Sequence, residues 1–145
     1  MSKLKLVAWS DSPICNSGFG RVAREVLKNL YATGKYDITS IGINYKGITP
    51  TIPENNPSES DYDKLSAYTN YINIPAGIGK DGNPFGFKVL IDYLTNNKVD
   101  ILWMLQDTFN MVGMADQINA LKKEKGFKVV TYFPLDTERF PDFFL

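Results

Sequence analysis

The chain has 145 residues, of which 43% are hydrophobic and 22% charged, and its 16 basic and 16 acidic side chains leave no net charge. These values are typical of one globular domain with a sizeable core, and the charge balance does not favour binding of nucleic acid or an anionic membrane by bulk electrostatics. Histidine is absent and Cys15 is the single cysteine, which excludes an internal disulfide, histidine-based metal sites and Ser–His–Asp triads.

Strand and helix patterns alternate along the first half of the chain. Residues 4–9 (LKLVAW) predict a buried strand, residues 20–33 have an apolar stripe at helical spacing, and residues 37–45 predict a second strand. The prolines and polar residues of 46–70 predict mostly loop, and residues 71–76 predict a third strand. The charged side chains of the first helix are expected on its solvent face: Arg21, Arg24, Glu25 and Lys28.

The second half continues the alternation. Residues 77–86 are rich in glycine, and we interpret them as a surface connection rather than a binding loop. Apolar side chains recur at i, i+3, i+4 and i+7 in residues 87–94, which predicts a helix. Residues 99–105 are the most apolar run and predict a fourth strand, residues 112–125 predict a third helix, and residues 127–133 predict a fifth strand.

The resulting order, β-α-β-β-α-β-α-β, predicts an α/β fold. Strands that alternate with helices imply a Rossmann-like, doubly wound parallel sheet with helices on both faces. Ligands of such sheets bind outside the carboxyl ends of the strands. The loops expected at that edge are 10–19, 106–111 and 134–141.

A glycine pattern opens the first helix. Residues 18–23 (GFGRVA) have the G-x-G-x-x-A spelling of dinucleotide-binding loops. That fingerprint needs its first glycine directly after strand 1 and an acidic residue after strand 2. Here residues 10–17 intervene, and Asn44, Tyr45 and Lys46 end strand 2, so we do not expect NAD. Two interpretations stay open: phosphate binding at the helix N-terminus, or glycines that only permit a turn and close packing.

Three segments in chain order resemble a known family. They are NSGFGRVAREVLKNL (16–30), VDILWMLQD (99–107) and VVTYFPLDTERFP (129–141). Together they resemble the N-terminal, acceptor-side domain of GT-B glycosyltransferases, especially retaining glycosyltransferase family 4. The resemblance implies that residues 1–145 are one Rossmann-like domain of an incomplete GT-B protein, whose donor-binding C-terminal domain is absent.

The resemblance also implies an activity. GT-B enzymes of this family transfer a sugar, here expected to be a hexose, from a nucleotide sugar such as a UDP- or GDP-sugar to a glycan or other acceptor. They are typically independent of metal ions, so no cofactor or metal site is expected, and the isolated chain is expected to be inactive. No apolar run reaches the roughly 18 residues needed to span a bilayer, and we expect a cytoplasmic protein.

The family pattern places Gly18, Phe19 and Gly20 beside the donor diphosphate, with Arg21 next to them. We nevertheless interpret Arg21 as a solvated helix residue rather than as a phosphate contact. Asp11 is interpreted either as an acceptor contact or as a loop cap.

The loops after strands 4 and 5 supply the remaining candidates. Many family members have a histidine after strand 4, where this chain has Gln106, which can bind sugar hydroxyls but cannot transfer a proton. The catalytic candidates are Asp107 and Asp136; the alternatives are a helix cap for Asp107 and turn chemistry for Asp136. Cys15 is interpreted as a bystander because no histidine can activate it.

The last residues, 140–145 (FPDFFL), are apolar. Such a segment predicts contact with a second domain or with another copy of the chain. The alternative function is therefore a non-catalytic Rossmann-like interaction or binding module.

Overall fold

The computed structural model describes residues 2–77 and 83–134. Within these ranges strands and helices alternate strictly. The elements are β1 (Leu4–Asp11), α1 (Gly18–Ala32), β2 (Tyr36–Ile43), α2 (Glu59–Asn70), β3 (Ile72–Pro75), α3 (Phe87–Asn96), β4 (Ile101–Leu105), α4 (Thr108–Lys125) and β5 (Lys128–Tyr132).

The strands form one sheet in the order β3-β2-β1-β4-β5, and every neighbouring pair is parallel. The predicted α/β class and Rossmann-like parallel sheet are confirmed. The chain leaves β1 toward β2 and later returns to place β4 on the other side of β1. The topological switch point therefore lies between β1 and β4, where sheets of this type open a crevice at their carboxyl ends.

Alternating residues of β1 point into two separate cores. Leu6 and Ala8 belong to a cluster with α1 residues such as Leu27. Val7 and Trp9 belong to a second cluster that includes residues of α3 and α4. Helices therefore cover both faces of the sheet, as predicted, because each face of a parallel strand must be buried.

The prediction of loop for residues 46–70 was wrong in its second half, which forms α2. The helix starts with a capping box, in which Ser58 Oγ accepts from the Asp61 N–H and the Asp61 carboxylate accepts from the Ser58 N–H. Its apolar stripe is weak, and Ala67 is its one fully buried residue. The hydrophobic periodicity of these residues therefore gave little indication of a helix. The Ser–x–x–Asp spacing of Ser58 and Asp61 is the sequence feature that could have predicted it.

Two further corrections concern helix α1. It begins at Gly18 rather than Gly20, so both glycines lie in its first turn. Arg24, expected on the solvent face, is buried with 6% of its surface exposed. Across the described ranges, no helix is both long enough and apolar enough to cross a membrane.

Candidate functional site

The loop between β1 and α1, residues 12–17, is fixed to its surroundings by main-chain bonds. The Ser12 N–H donates to Ile43 O at 3.1 Å, which continues the β1–β2 ladder past the strand end. The Cys15 N–H donates to Ser12 O at 2.9 Å and the Ile14 N–H to Ser12 Oγ at 3.2 Å. The loop is thus a compact turn rather than a free connection.

The side chain of Arg24, in α1, is hydrogen-bonded to this loop. Its guanidinium donates from Nη1 to Pro13 O at 2.7 Å and to Cys15 O at 3.3 Å. Burial lowers the pKa of the Arg24 guanidinium from its usual value, but the group stays charged, as arginine does in proteins. A buried cation paired with two carbonyl oxygens ties the loop to the helix that follows it.

Close packing beneath the loop explains two glycines. A Cβ at Gly20 would lie 2.7 Å from Cys15 O and 2.8 Å from Ser12 O. A Cβ at Gly42 in β2 would lie 2.7 Å from Ser12 Cβ. Gly20 is therefore required for steric reasons, whereas nothing lies within 4 Å of the equivalent position at Gly18.

The N-terminus of α1 faces the carboxyl edge of the sheet. Ser17 is its N-cap and accepts from the Gly20 N–H at 3.0 Å. The Arg21 N–H donates to Ser17 O at 2.9 Å. Among the described residues, the N–H groups of Gly18 and Phe19 have no partner, and they carry the partial positive charge of the helix end.

Two polar side chains near this helix end have different roles. The Asp11 carboxylate accepts a hydrogen bond from the Ser17 hydroxyl. This bond fits the loop-cap interpretation of Asp11, and the interpretation of Asp11 as an acceptor contact stays a prediction. The Arg21 side chain is exposed and makes no hydrogen bond or ion pair with other described residues.

Gln106 follows β4 at the switch point. The last paired residues of β1 and β4 are Trp9 and Met104, so Asp11 and Gln106 each lie two residues beyond the ladder on neighbouring strands. Gln106 is 3% exposed, and its Oε1 accepts from Asn110 Nδ2 at 3.3 Å. Its Nε2 is buried without a hydrogen-bond partner among the described residues.

This unpaired amide is unusual. Buried polar groups are nearly always hydrogen-bonded, and an unsatisfied donor costs about 1–3 kcal/mol. Asn110 lies one turn into α4 and is itself 2% exposed. The Asn110 Nδ2 donor pairs with Gln106 Oε1, which leaves Nε2 as the atom of the Gln106 amide without a partner among the described residues.

Asp107 occupies the N-cap position of α4, yet its carboxylate accepts no capping hydrogen bond. The helix is closed by main-chain bonds from Asn110 and Met111 to Asp107 O. The Asp107 side chain is half-buried and has no partner within the described ranges. It therefore stands at a helix N-terminus with its oxygens uncommitted.

Asp136, the other catalytic candidate, lies outside the described residues. Within residues 2–77 and 83–134, histidine, cysteine and acidic side chains do not form any group of three or more that could hold a metal ion. The structure thus brings Asp11 together with residues 17–20 through hydrogen bonds, and it places Gln106 and Asp107 on the adjacent strand end.

Three residues that shape this site were not singled out from the sequence: Ser17, Arg24 and Asn110. Each had a weak signal. Ser17 stands three residues before Gly20, at the spacing of an N-cap. Arg24 is four residues after Gly20, and Asn110 four after Gln106, which are the spacings that place side chains on one helix face.

Comparisons with known proteins add little to this description. No family model matches the chain, and no curated protein matches it. Among solved structures, the C-terminal domain of a hydrogenase from Pyrococcus furiosus is similar over 91% of this chain and 94% of its own length, with 14% identity and a TM-score of 0.47. Similarity at this level carries no argument about family or function.

Proposed function

We propose that this chain is the acceptor-side domain of a retaining glycosyltransferase of the GT-B type. Completed by a donor-binding domain, it transfers a hexose-type sugar from a nucleotide sugar, such as a UDP- or GDP-sugar, to an acceptor. The sequence resemblance supports this proposal. The structural observation that supports it best is a set of donors at the switch point that have no hydrogen-bond partner among the described residues: the N–H groups of Gly18 and Phe19, and Gln106 Nε2.

The N-terminus of α1 is proposed to bind the diphosphate that leaves during sugar transfer. Sugar transfer creates negative charge on the nucleotide diphosphate, and preorganised N–H donors stabilise such charge without a metal ion. Gly18 and Phe19 offer these donors, and Gly18 has no Cβ to keep a phosphate away. The bonds of residues 12–17 hold the donors in place before any ligand arrives.

The residues that follow the carboxyl end of β4 are proposed to bind the sugar. Gln106 Nε2 is a donor to a hydroxyl oxygen, and the uncommitted Asp107 carboxylate is an acceptor for a hydroxyl hydrogen. Asp107 could also take a proton from the acceptor hydroxyl, since the chain has no histidine for that role. Asp136, which follows β5 in the sequence, stays the second proposed catalytic residue.

The test uses a form of the protein that contains both domains. It is assayed for sugar transfer with UDP-glucose and GDP-mannose, and for binding by calorimetry, with NAD as the control ligand. We expect nucleotide-sugar binding, no NAD binding, and a fall in kcat of about 100-fold or more in Asp107→Asn. A two-domain form that neither binds a nucleotide sugar nor transfers sugar overturns the proposal.

A specific observation favours the second candidate, a non-catalytic interaction module. On the edge strand β5, Val130 and Tyr132 are 49% and 53% exposed. An apolar edge strand is a template for association with another chain. Under this alternative, sedimentation shows self-association that Val130→Lys abolishes, and nucleotide sugars do not bind. A clean monomer without exposed apolar surface contradicts it.

A further inference from the structure

A separate cavity of about 630 Å³ opens at the carboxyl ends of β1 and β2. We name it the β2 cavity. Its walls are the β1–α1 loop, the segment 44–51 that follows β2, and the first turns of α2. It adjoins the proposed site because Ser17, the N-cap of α1, belongs to its lining.

Hydrogen bonds join the walls of the β2 cavity. Cys15 Sγ donates to Asn44 O at 3.3 Å, which links the β1–α1 loop to the end of β2. Lys64 Nζ of α2 donates to Asn16 Oδ1 in the same loop. Asn44 has a positive φ of 61°, which turns the chain out of the sheet. The cavity is therefore preformed by tertiary contacts.

Its charge is positive. Lys46 and Lys64 are the lining cations, and Asp61 is the lining anion. The Asp61 carboxylate already accepts from the Ser58 N–H at 2.8 Å and from the Ser58 hydroxyl at 2.7 Å. Lys46 has no hydrogen bond or ion pair with any other described residue, so its charge is uncompensated within the cavity.

The other acidic residues of α2 do not neutralise these lysines. Glu59 and Asp63 both pair with Lys28 of α1, at 3.5 Å and 3.0 Å. Neither of them lines the β2 cavity. Its polar lining can bind hydroxyl groups, and its charge favours an anionic group on the same molecule.

We propose that the β2 cavity is the acceptor subsite and that it selects an acceptor bearing a phosphate or carboxylate group. Its role as an acceptor subsite rests on the proposed function, whereas anion binding there does not. Lys46 and Lys64 contact the anionic group, and the polar groups of the β1–α1 loop face the rest of the ligand. This arrangement presents the acceptor beside the α1 N-terminus, where the donor diphosphate is proposed to bind.

The experiment compares glucuronate with glucose, which share a ring and differ by one carboxylate. Two-dimensional amide NMR spectra of the full chain are recorded during titration with each sugar, and with inorganic phosphate. We expect glucuronate and phosphate to shift the amides of Asn16 and Lys46, and glucose to bind about tenfold more weakly. Lys46→Gln with Lys64→Gln should weaken glucuronate binding about tenfold.

Lys123→Gln is the matched control, because Lys123 is exposed near the end of α4, outside the cavity. Equal binding of glucose and glucuronate overturns the proposal. So does glucuronate binding that the double lysine variant leaves unchanged, or the absence of amide shifts at the cavity. Loss of sugar transfer in the two-domain protein, with anion binding intact, instead contradicts the proposed function.

Discussion

The two strand ends that meet at the switch point are built in opposite ways. In the β1–α1 loop, the polar groups are bonded to one another: Asp11 to Ser17, Ser17 to Gly20, and Arg24 to two carbonyl oxygens. At the β4–α4 turn, Gln106 Nε2 is buried with no partner in residues 2–77 and 83–134, and the Asp107 carboxylate makes no capping hydrogen bond to its helix. The hydrogen bonds of the first region hold the β1–α1 loop rigidly on α1, and we call this region the frame. The second region holds polar atoms that have no hydrogen-bond partner among the described residues.

This comparison separates residues that stabilise the fold from residues that are free to bind. Substitutions in the frame should lower the free energy of unfolding. Removal of the Asp107 carboxylate, or of Gln106 together with its partner Asn110, should leave that free energy almost unchanged and should act on ligand binding instead.

The largest effect is expected for Gly20→Ala. The new methyl group would meet two main-chain oxygens, those of Cys15 and Ser12, at 2.7 and 2.8 Å. Main-chain atoms cannot rotate away, so the variant should lose about 3 kcal/mol in the free energy of unfolding, measured in urea. Gly18→Ala is the control, since its Cβ has open space, and it should change stability by less than about 0.5 kcal/mol. Equal losses would refute the close packing of the loop on α1.

Arg24→Met should cost about 2 kcal/mol, because the loop loses charged hydrogen bonds to Pro13 O and Cys15 O. The matched control is Arg21→Met, on the solvent side of the same helix, with an expected change below about 0.5 kcal/mol.

Alkylation of Cys15 gives a second test of whether the Arg24 hydrogen bonds hold the β1–α1 loop in place. Burial, with a smaller contribution from Asp11, raises the pKa of the Cys15 thiol, so the native thiol should react slowly at neutral pH. Arg24 lowers that pKa, and its removal would slow alkylation further by charge alone. Faster alkylation in Arg24→Met would therefore report opening of the loop. Unchanged or slower alkylation would show that Arg24 does not hold the loop closed.

A pair of N-cap substitutions compares the two helices directly. Ser17→Ala removes a capping bond to Gly20 and should cost about 1 kcal/mol. Asp107→Ala removes a side chain that makes no such bond, and should cost less than about 0.5 kcal/mol. Thermal or urea unfolding of both variants measures the difference. A larger loss in Asp107→Ala would show that the β4–α4 turn also uses its polar group for stability.

The smallest effect on stability is expected for the double variant Gln106→Leu with Asn110→Leu. Asn110→Leu by itself leaves Gln106 Oε1 buried and unpaired, and should cost about 1–2 kcal/mol. The double variant also removes the unpaired Nε2, so it should return to within about 0.5 kcal/mol of the original protein. Ligand binding should nevertheless be lost. A double variant that costs as much as both single changes together would show that the pair is structural.

Much of the fold followed from local patterns. The strands were found where short apolar runs occur, and the helices α1 and α3 where the apolar stripe is clear. Helix α4 was predicted from residue 112, but it begins at Thr108. Helix α2 was missed because it buries little apolar surface, with Ala67 its one fully buried residue. Its position is set by contacts with α1, such as the ion pair between Lys28 and Asp63, which no local pattern contains.

The candidate site was predicted less completely. The sequence located Gly18, Gly20, Gln106 and Asp107 from their position after predicted strands. It could not distinguish a glycine that packs from a glycine that faces solvent. That distinction depends on which main-chain atoms lie nearby, and the structure resolves it by placing Cys15 O against Gly20 and nothing near Gly18.

The sequence by itself determined the α/β class and the parallel sheet, because these follow from hydrophobic period and element order. Only the tertiary structure determined which polar groups are already hydrogen-bonded within the protein. The burial of Arg24, the pairing of Gln106 with Asn110 and the walls of the β2 cavity all join residues from different elements. Whether a polar group is bonded or free depends on neighbours in space, and those neighbours exist only once the chain has folded.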